Sequence, residues 1–563
     1  GLIQVDGKLR AGLVNGTDAD VLLNGGTITG SVTNNGWLGG RGTISNSVLN
    51  GGTLVTNGQM TITNLTNTGK TNVKAGTTLA SANVIDNQGT LDLAGTLGAD
   101  LTSNADATTA LTGNSVITGN VRNNGTLLGN GTIEGFLTNS GLTNVGAGQT
   151  LSAKKTFNTD RLAISGTLKS DVQNKAGATT EMRGGTIDGA VSNIGTLSGA
   201  GSVTGTLTNT GTLTAIGRLE LGKLVNQTTL NISKGNTIAS TAMAANSGNI
   251  SLGGTLDGGL SNNLAGTLQL QGGEMTGLLI NNGVVRGKGK LTGGLTNNGN
   301  ANIGGAAGKV TNNKNLNILG KLTVAGLNST GTGVIAVEAT DHLVTQTAAT
   351  NSGLMTIAGT LDGNINNTKT VRLTGGTING RLTNSNNANL TGKVTEIVNA
   401  GTVTTNGALE VGKLTNNKTL NVNAGATLTS ANKVQNTDTI NLAGNLQADV
   451  ANATTGTIDL DRGTVTGDVD NSGTVEGNGT IDGSLTTRAG SATTMSGTIT
   501  KDLINQGATL KLSKDLTING VITGGTAPQT NRAAAAAAAP AGATPAAVAG
   551  PSMTINAGTT LTA

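Results

Sequence analysis

The stretch Gly26-Thr27-Ile28-Thr29-Gly30-Ser31-Val32-Thr33-Asn34-Asn35-Gly36 decides the fold. It returns as Ser115-Val116-Ile117-Thr118-Gly119-Asn120-Val121-Arg122-Asn123-Asn124-Gly125 and as Gly185-Thr186-Ile187-Asp188-Gly189-Ala190-Val191-Ser192-Asn193-Ile194-Gly195. Further copies are anchored at Gly277, Gly380 and Gly467, and in all six an Asn follows the anchoring Gly by four: Asn34, Asn123, Asn193, Asn281, Asn384 and Asn471. Within each copy the aliphatics keep even spacing. Ile28, Val32, Leu38, Ile44, Val48 and Leu54 are separated by 4, 6, 6, 4 and 6 residues. Ile187, Val191, Leu197, Val203, Leu207 and Leu213 repeat those steps. Even offsets place side chains on one face of extended backbone, whereas a helical stripe needs offsets of about 3, 4 and 7.

The intervening residues fit a narrow coil. Thr27, Thr29 and Thr33 occupy the opposite parity, where β-branched polar residues suit a solvated strand face. Gly26, Gly30, Gly36 and Gly42 share the aliphatic parity and leave room for tight corners. Asn34 and Asn50, Asn123 and Asn139, Asn193 and Asn209, and Asn281 and Asn297 are each 16 apart. Stacked at one corner, these amides are expected to hydrogen-bond from rung to rung as a structural ladder. The fold class expected is all-β: a single long parallel β-solenoid, or β-helix, with rungs of about 16–22 residues.

A second module alternates with the first. Leu414 to Leu428, Leu224 to Ile238 and Leu65 to Leu79 are steps of 14, each followed by a step of 12 to Ile440, Ile250 and Leu91. These rungs read as longer, and residues 332–351 as the most irregular. At about 18 residues per rung, the first 525 residues make roughly 29 rungs, about 140 Å at ~4.8 Å each.

Composition agrees. The chain of 563 residues has 91 Gly, 4 Pro, 1 Trp, 2 Phe, 1 His and no Cys or Tyr. Several large compact cores, which lean on aromatic residues, are excluded. So are collagen, which needs Gly every third residue, and a charged disordered chain, since the net charge is only +4. Basic residues are scattered, as in Lys154 and Lys155 or Lys288 and Lys290, so nucleic acid is not an expected partner. No run of about 18 apolar residues offers a transmembrane helix. Without Cys there is no thiol chemistry or disulfide framework. The start at Gly1, without Met or a signal peptide, reads as a processed or excised segment whose export signal lies outside it.

Four parts are expected: an N-terminal rung or cap over residues 1–24, a solenoid of six long repeats over 25–525, an Ala/Pro-rich linker over 526–551, and an isolated strand over 552–563. All four prolines (Pro528, Pro540, Pro545 and Pro551) lie in or at the edge of that linker. The last strand, with Met553, Ile555 and Leu561, copies the pattern of Leu420, Val422 and Leu428. Two readings stay open for it: the start of further rungs, or an assembly strand that caps its own rod or completes a neighbour's.

Units such as Asn209-Thr210-Gly211-Thr212-Leu213 and Asn471-Ser472-Gly473-Thr474-Val475 resemble the passenger regions of bacterial type V secreted proteins, the autotransporters and filamentous-haemagglutinin-like adhesins. The resemblance covers roughly residues 20–525. It implies export through an outer-membrane pore, folding outside the cell, and adhesive or structural roles at the bacterial surface or in secreted form. The aromatic-rich membrane barrel expected at an autotransporter's C-terminus is not in this sequence.

Candidate chemistry is sparse. His342 follows Asp341 and reads as a loop histidine. The acidic residues Asp459, Asp461, Asp468, Asp470, Glu476 and Asp482 raise a Ca²⁺ site, but the Gly-Gly-x-Gly-x-Asp repeat is absent, and they read as a solvated face with Arg462 as counter-charge. Trp37 and Phe136 fall on outward parity. Thr-x-Thr pairs such as Thr27/Thr29, Thr212/Thr214 and Thr402/Thr404 raise ice binding, yet they are spread along the chain rather than 16 apart. No catalytic, cofactor or metal residues are assigned. The function expected is a non-enzymatic exported rod, an adhesin stalk or surface-filament subunit, partnered by copies of itself or by a host or neighbouring-cell surface. A polysaccharide-active β-helix enzyme is the alternative, and an ice-binding protein a remote one.

Overall fold

Segments in which Thr alternates with Leu, Ile or Val favour extended backbone with one apolar face, and one face alone is not buried until another strand stacks on it. In the computed structural model this pattern yields parallel strands and, among the described residues, no helix, with about 70% of the chain in strand. The structure describes residues 1–512 and 515–524 and the strands Ser552–Ile555 and Leu561–Thr562. Contacts divide the chain into two compact units, Gly1–Gly293 and Gly294–Ala563. Each is a parallel β-solenoid, and together they contain about 30 coils.

The core of each unit is built of stacked columns of aliphatics contributed by three faces. In the first unit Val21, Leu38 and Leu54 are successive Cα partners, as are Ile28, Ile44 and Ile62, and Val32, Val48 and Leu65. In the second, Leu420, Ile440, Ile458 and Val475 form one column, and Val434, Val450, Val469 and Leu485 another. All of these side chains are buried. Full burial is worth about 1.5–3 kcal/mol per side chain against the entropy of ordering the coil. Because each coil touches only its neighbours, stability adds along the stack.

Coil length varies more than the even-step pattern suggests. Partners lie 15 residues apart at Asn300 and Asn315 and 22 apart at Asn328 and Thr350. The 14-residue step of the long modules is a distance between faces. Leu428 pairs with Leu409 and Leu446, while the coil itself advances 20 residues from Thr419 to Thr439. The added residues form a turn after the first face, where Gly76, Gly235 and Gly425 have φ of 73°, 83° and 78°. Glycine takes that left-handed conformation without a Cβ penalty. At the opposite corner Gly36, Gly52, Gly69 and Gly89 stack so closely that a Cβ on any of the last three would meet the carbonyl of the glycine below.

Residues 1–24 supply an ordinary coil. The strands Leu2–Val5, Lys8–Leu9 and Leu13–Asn15 pair in parallel with Asp20–Ile28 and Val32–Asn34. The segment expected to stand isolated at the C-terminus does not. Ser552–Ile555 pairs in parallel with Thr509–Leu512, and Leu561–Thr562 with Leu516–Ile518, so Met553, Ile555 and Leu561 lie in a further coil of the chain's own second unit. A strand with the solenoid's alternation adds to the nearest open parallel edge, which here is its own. The Ala/Pro-rich segment 526–551 lies outside the described residues.

Candidate functional site

The most regular polar feature is inside the coils. At the end of the third strand of nearly every coil an Asn side chain turns inward, and the column is buried. Each amide Nδ2 donates to Oδ1 of the Asn one coil on: Asn34 to Asn50 at 2.6 Å, Asn123 to Asn139 at 2.8 Å and Asn193 to Asn209 at 2.8 Å. The same Nδ2 also reaches main-chain carbonyls, as Asn193 does to Thr212 at 2.8 Å. An amide carries both donor and acceptor, so one side-chain type repeats without a mismatch, and each bond polarises the next.

Spacing by 16 finds only part of this ladder. Asn15, Asn67, Asn87, Asn158, Asn174, Asn226, Asn246 and Asn262 also belong to it, at intervals that follow the local coil length. Three of the eight, Asn67, Asn87 and Asn246, stand two residues before a corner glycine (Gly69, Gly89 and Gly248), as Asn34 and Asn50 do, and the other five carry no such mark. Asn281 and Asn297 fall in different units. Asn281 accepts from Asn262 at 2.8 Å in the first, and Asn297 donates to Asn312 at 2.8 Å in the second. From Asn351 the second unit's column runs through Asn367, Asn384, Asn399, Asn416, Asn436 and Asn452 to Asn471. Among the described residues the sequence of asparagines is interrupted by Ser103, Ser329 and Thr487 and ends at Gly524.

The outer surface carries the other candidates. His342 is not in a loop: it opens the strand His342–Thr345, in register between Lys321 and Thr360. Its carboxylate partner is Asp362 of the next coil, at 2.6 Å from Nε2, while Asp341 instead accepts from the Gly320 N–H at 2.8 Å. Sequence adjacency points to Asp341, but neighbouring residues on a coil project apart, and His342 instead meets Asp362 diagonally, two residues beyond its in-register partner Thr360. The Asn379 amide, and after it the His342 ring, hold the Asp362 carboxyl below the usual carboxylate range. A depressed folded-state value means this contribution to stability is present above the unfolded pKa and is lost as pH falls through the folded one. Asn379→Ala is therefore expected to move the Asp362 titration back toward the ordinary range, read by ¹³C carboxyl shifts; an unmoved midpoint would contradict the assignment to Asn379.

The acidic residues separate into different environments. Asp459 and Glu476 are in-register partners, as are Asp461 and Asn478, and with Thr494 and Ser496 they line an open groove of about 570 Å³. Arg462, the one non-glycine residue with positive φ among those described, places Nε 3.6 Å from Asp461. Asp470 is held below the carboxylate range by a two-pronged bond from Arg488, at 2.6 and 2.8 Å. Asp468 caps the Ser484 N–H and Asp482 accepts from Thr500. Among the described residues no group of three or more His, Asp or Glu is arranged to hold a metal ion.

Other charges link successive coils. Glu181 receives Arg161 and Arg183, and Glu396 lies between Arg381 and Lys413. Such exposed pairs contribute little each. Trp37 lies over Gly39 on the outer face. Phe136 is paired: its ring meets Phe157 edge to face with centroids 6.0 Å apart, and Lys154 and Lys155 sit over the two rings. The outward threonines are single file, not double: Thr402, Thr419, Thr439, Thr457 and Thr474 stack in consecutive coils, but beside them run Thr404, Asn421, Asn441, Asp459 and Glu476. Among the described residues no helix is long and apolar enough to cross a membrane. Compared with known proteins, the chain matches no family model and no curated sequence.

Proposed function

We propose that this chain is a load-bearing structural rod of an exported bacterial protein, the stalk of an adhesin or the subunit of a surface filament, and that it works without catalysis. The observation that carries the reading is the buried asparagine ladder. It spends an inward polar side chain in almost every coil on joining that coil to the next, which serves axial cohesion and nothing at the surface. The Thr- and Asn-rich exterior, with its scattered ion pairs, suits a solvated spacer. Partners under this reading are a second copy of the chain or a cell surface, and the resemblance to type V passengers supplies the extracellular setting.

Stretching the full chain between its ends in an optical trap tests it. The expected record is a series of small, similar extensions, each about one coil of 15–22 residues, released at high force. Release of the whole chain at low force in one step would remove the structural reading. A second reading, a polysaccharide-active enzyme, draws on the groove of Asp459, Asp461 and Glu476, where neighbouring carboxylates are the residue type that glycoside hydrolysis uses. Release of reducing ends from acidic or neutral polysaccharides, abolished in Glu476→Gln, would favour it over the rod.

A further inference from the structure

We infer that the two serines in the asparagine column each mark a built site for one buried water molecule that carries the ladder across the coil. Ser103 stands in register between Asn87 and Asn123, and Ser329 between Asn312 and Asn351. Both serines are buried, as are the four asparagines around them. At the first site Asn123 Oδ1 has no hydrogen-bond partner, and at the second the unpartnered atom is Ser329 Oγ. Buried polar atoms are rarely left so, because desolvation without a partner is costly.

The chemistry of the gap selects the ligand. In the regular column the missing amide would accept from the Asn of the coil before and donate to the Asn of the coil after. Asn87 Nδ2 keeps its ordinary main-chain bond, to Thr108 O at 3.2 Å, but its ladder acceptor is replaced by a more distant hydroxyl, Thr109 Oγ1 at 3.3 Å. Thr109 in turn donates to Ser103 Oγ at 3.2 Å, leaving the serine proton to be given elsewhere. At the second site Asn312 Nδ2 reaches only main-chain carbonyls, and Asn351 Oδ1 receives only the Gly353 N–H at 3.3 Å. A molecule at either position shares an amide proton with the acceptors already there, donates to an amide oxygen and meets a serine hydroxyl. Water does all three, and three bonds is the usual number for a buried water. Room follows from the side chains: serine has two heavy atoms fewer than asparagine at the same column position, about the size of one water. Thr487 differs, because its hydroxyl itself donates onward to Asn505 Oδ1 at 3.3 Å.

Asparagine fits where Ser103 stands, since Asn174 and Thr180 have the same six-residue separation as Ser103 and Thr109, and there Thr180 donates to Asn174 Oδ1 at 3.1 Å. The test counts long-lived internal waters in the full chain by ¹⁷O magnetic relaxation dispersion. Ser103→Asn and Ser329→Asn are each expected to lower the count by one, and the double substitution by two. An unchanged count in folded variants overturns the inference. Should a variant fail to fold, a high-resolution crystal structure of the unsubstituted chain decides: an ordered water bonded to Asn123 Oδ1 and another to Ser329 Oγ uphold it, and direct protein contacts at either atom overturn it.

Discussion

Asn193→Ala is expected to open the middle of the first unit's ladder while leaving distant coils intact. Asn193 accepts from Asn174 and donates to Asn209, each at 2.8 Å, and also donates to the Thr212 carbonyl at 2.8 Å. Alanine withdraws all three bonds at a site with no solvent exposure. Asn174 Nδ2 keeps the Thr196 carbonyl at 2.9 Å, so it is not orphaned. The lasting damage falls on the acceptor Asn209 Oδ1, deprived of its donor, and on the void left by the amide. Orphaning buried groups costs about 1–3 kcal/mol each, so the local loss is about 2–5 kcal/mol. In a stack whose coils touch only neighbours, that loss should be confined. Hydrogen exchange is expected to accelerate about 30- to 5,000-fold in the strands Val172–Asn174, Val191–Asn193 and Thr196–Asn209. Exchange in Thr53–Asn67 should not change. Equal acceleration at both places would mean the solenoid unfolds as one cooperative body, and no acceleration would mean the ladder is not what joins the coils.

The parts of this structure that were legible in the sequence are those fixed by parity. Ile28, Ile44, Val32 and Val48 stack because even spacing puts them on inner faces, and the 16-residue repeat is the true coil length there. Parity does not fix how many residues a corner absorbs. The turn at Gly425 lengthens its coil to 20, so periodic matching at 16 passes over Asn416 and Asn436, which are bonded at 2.8 Å. Contacts between coils were hidden for the same reason. Phe136 finds Phe157, and His342 finds Asp362, only once the register between strands is known. The acidic residues near position 470 cluster in sequence but project from different faces and corners, so proximity along the chain overstated their proximity in space.

Two adjacent glycines offer the sharpest contrast in expected effect. Gly52→Ala should destabilise its coil, and Gly51→Ala should hardly be felt. A methyl on Gly52 would enter the Gly36 carbonyl oxygen and lie 2.6 Å from the Asn35 carbonyl carbon, both main-chain atoms. The backbone has little freedom to withdraw, because the Gly51 and Gly52 N–H groups both donate to the Asn34 carbonyl, at 2.8 and 2.9 Å, and Asn50 is tied to Asn34 and Asn67. A methyl on Gly51 would instead approach the Asn35 side-chain oxygen at 3.1 Å, and that side chain is free to turn aside. Overpacking against fixed atoms costs about 1–3 kcal/mol, occasionally more, whereas displacement of a surface side chain costs within about 0.5 kcal/mol. The equivalent place in other coils holds Thr228, Lys314 or Lys418, so the penalty belongs to corners built on glycine, such as Gly52, Gly69 and Gly89, and not to the column as a whole. Exchange in the strands Trp37–Asn50 and Thr53–Asn67, compared between the two variants, separates these causes. Faster exchange in Gly52→Ala alone is the expected result. Equal effects would show that the contact with Gly36 does not decide the outcome, since the reduced backbone freedom of the unfolded chain is common to both substitutions.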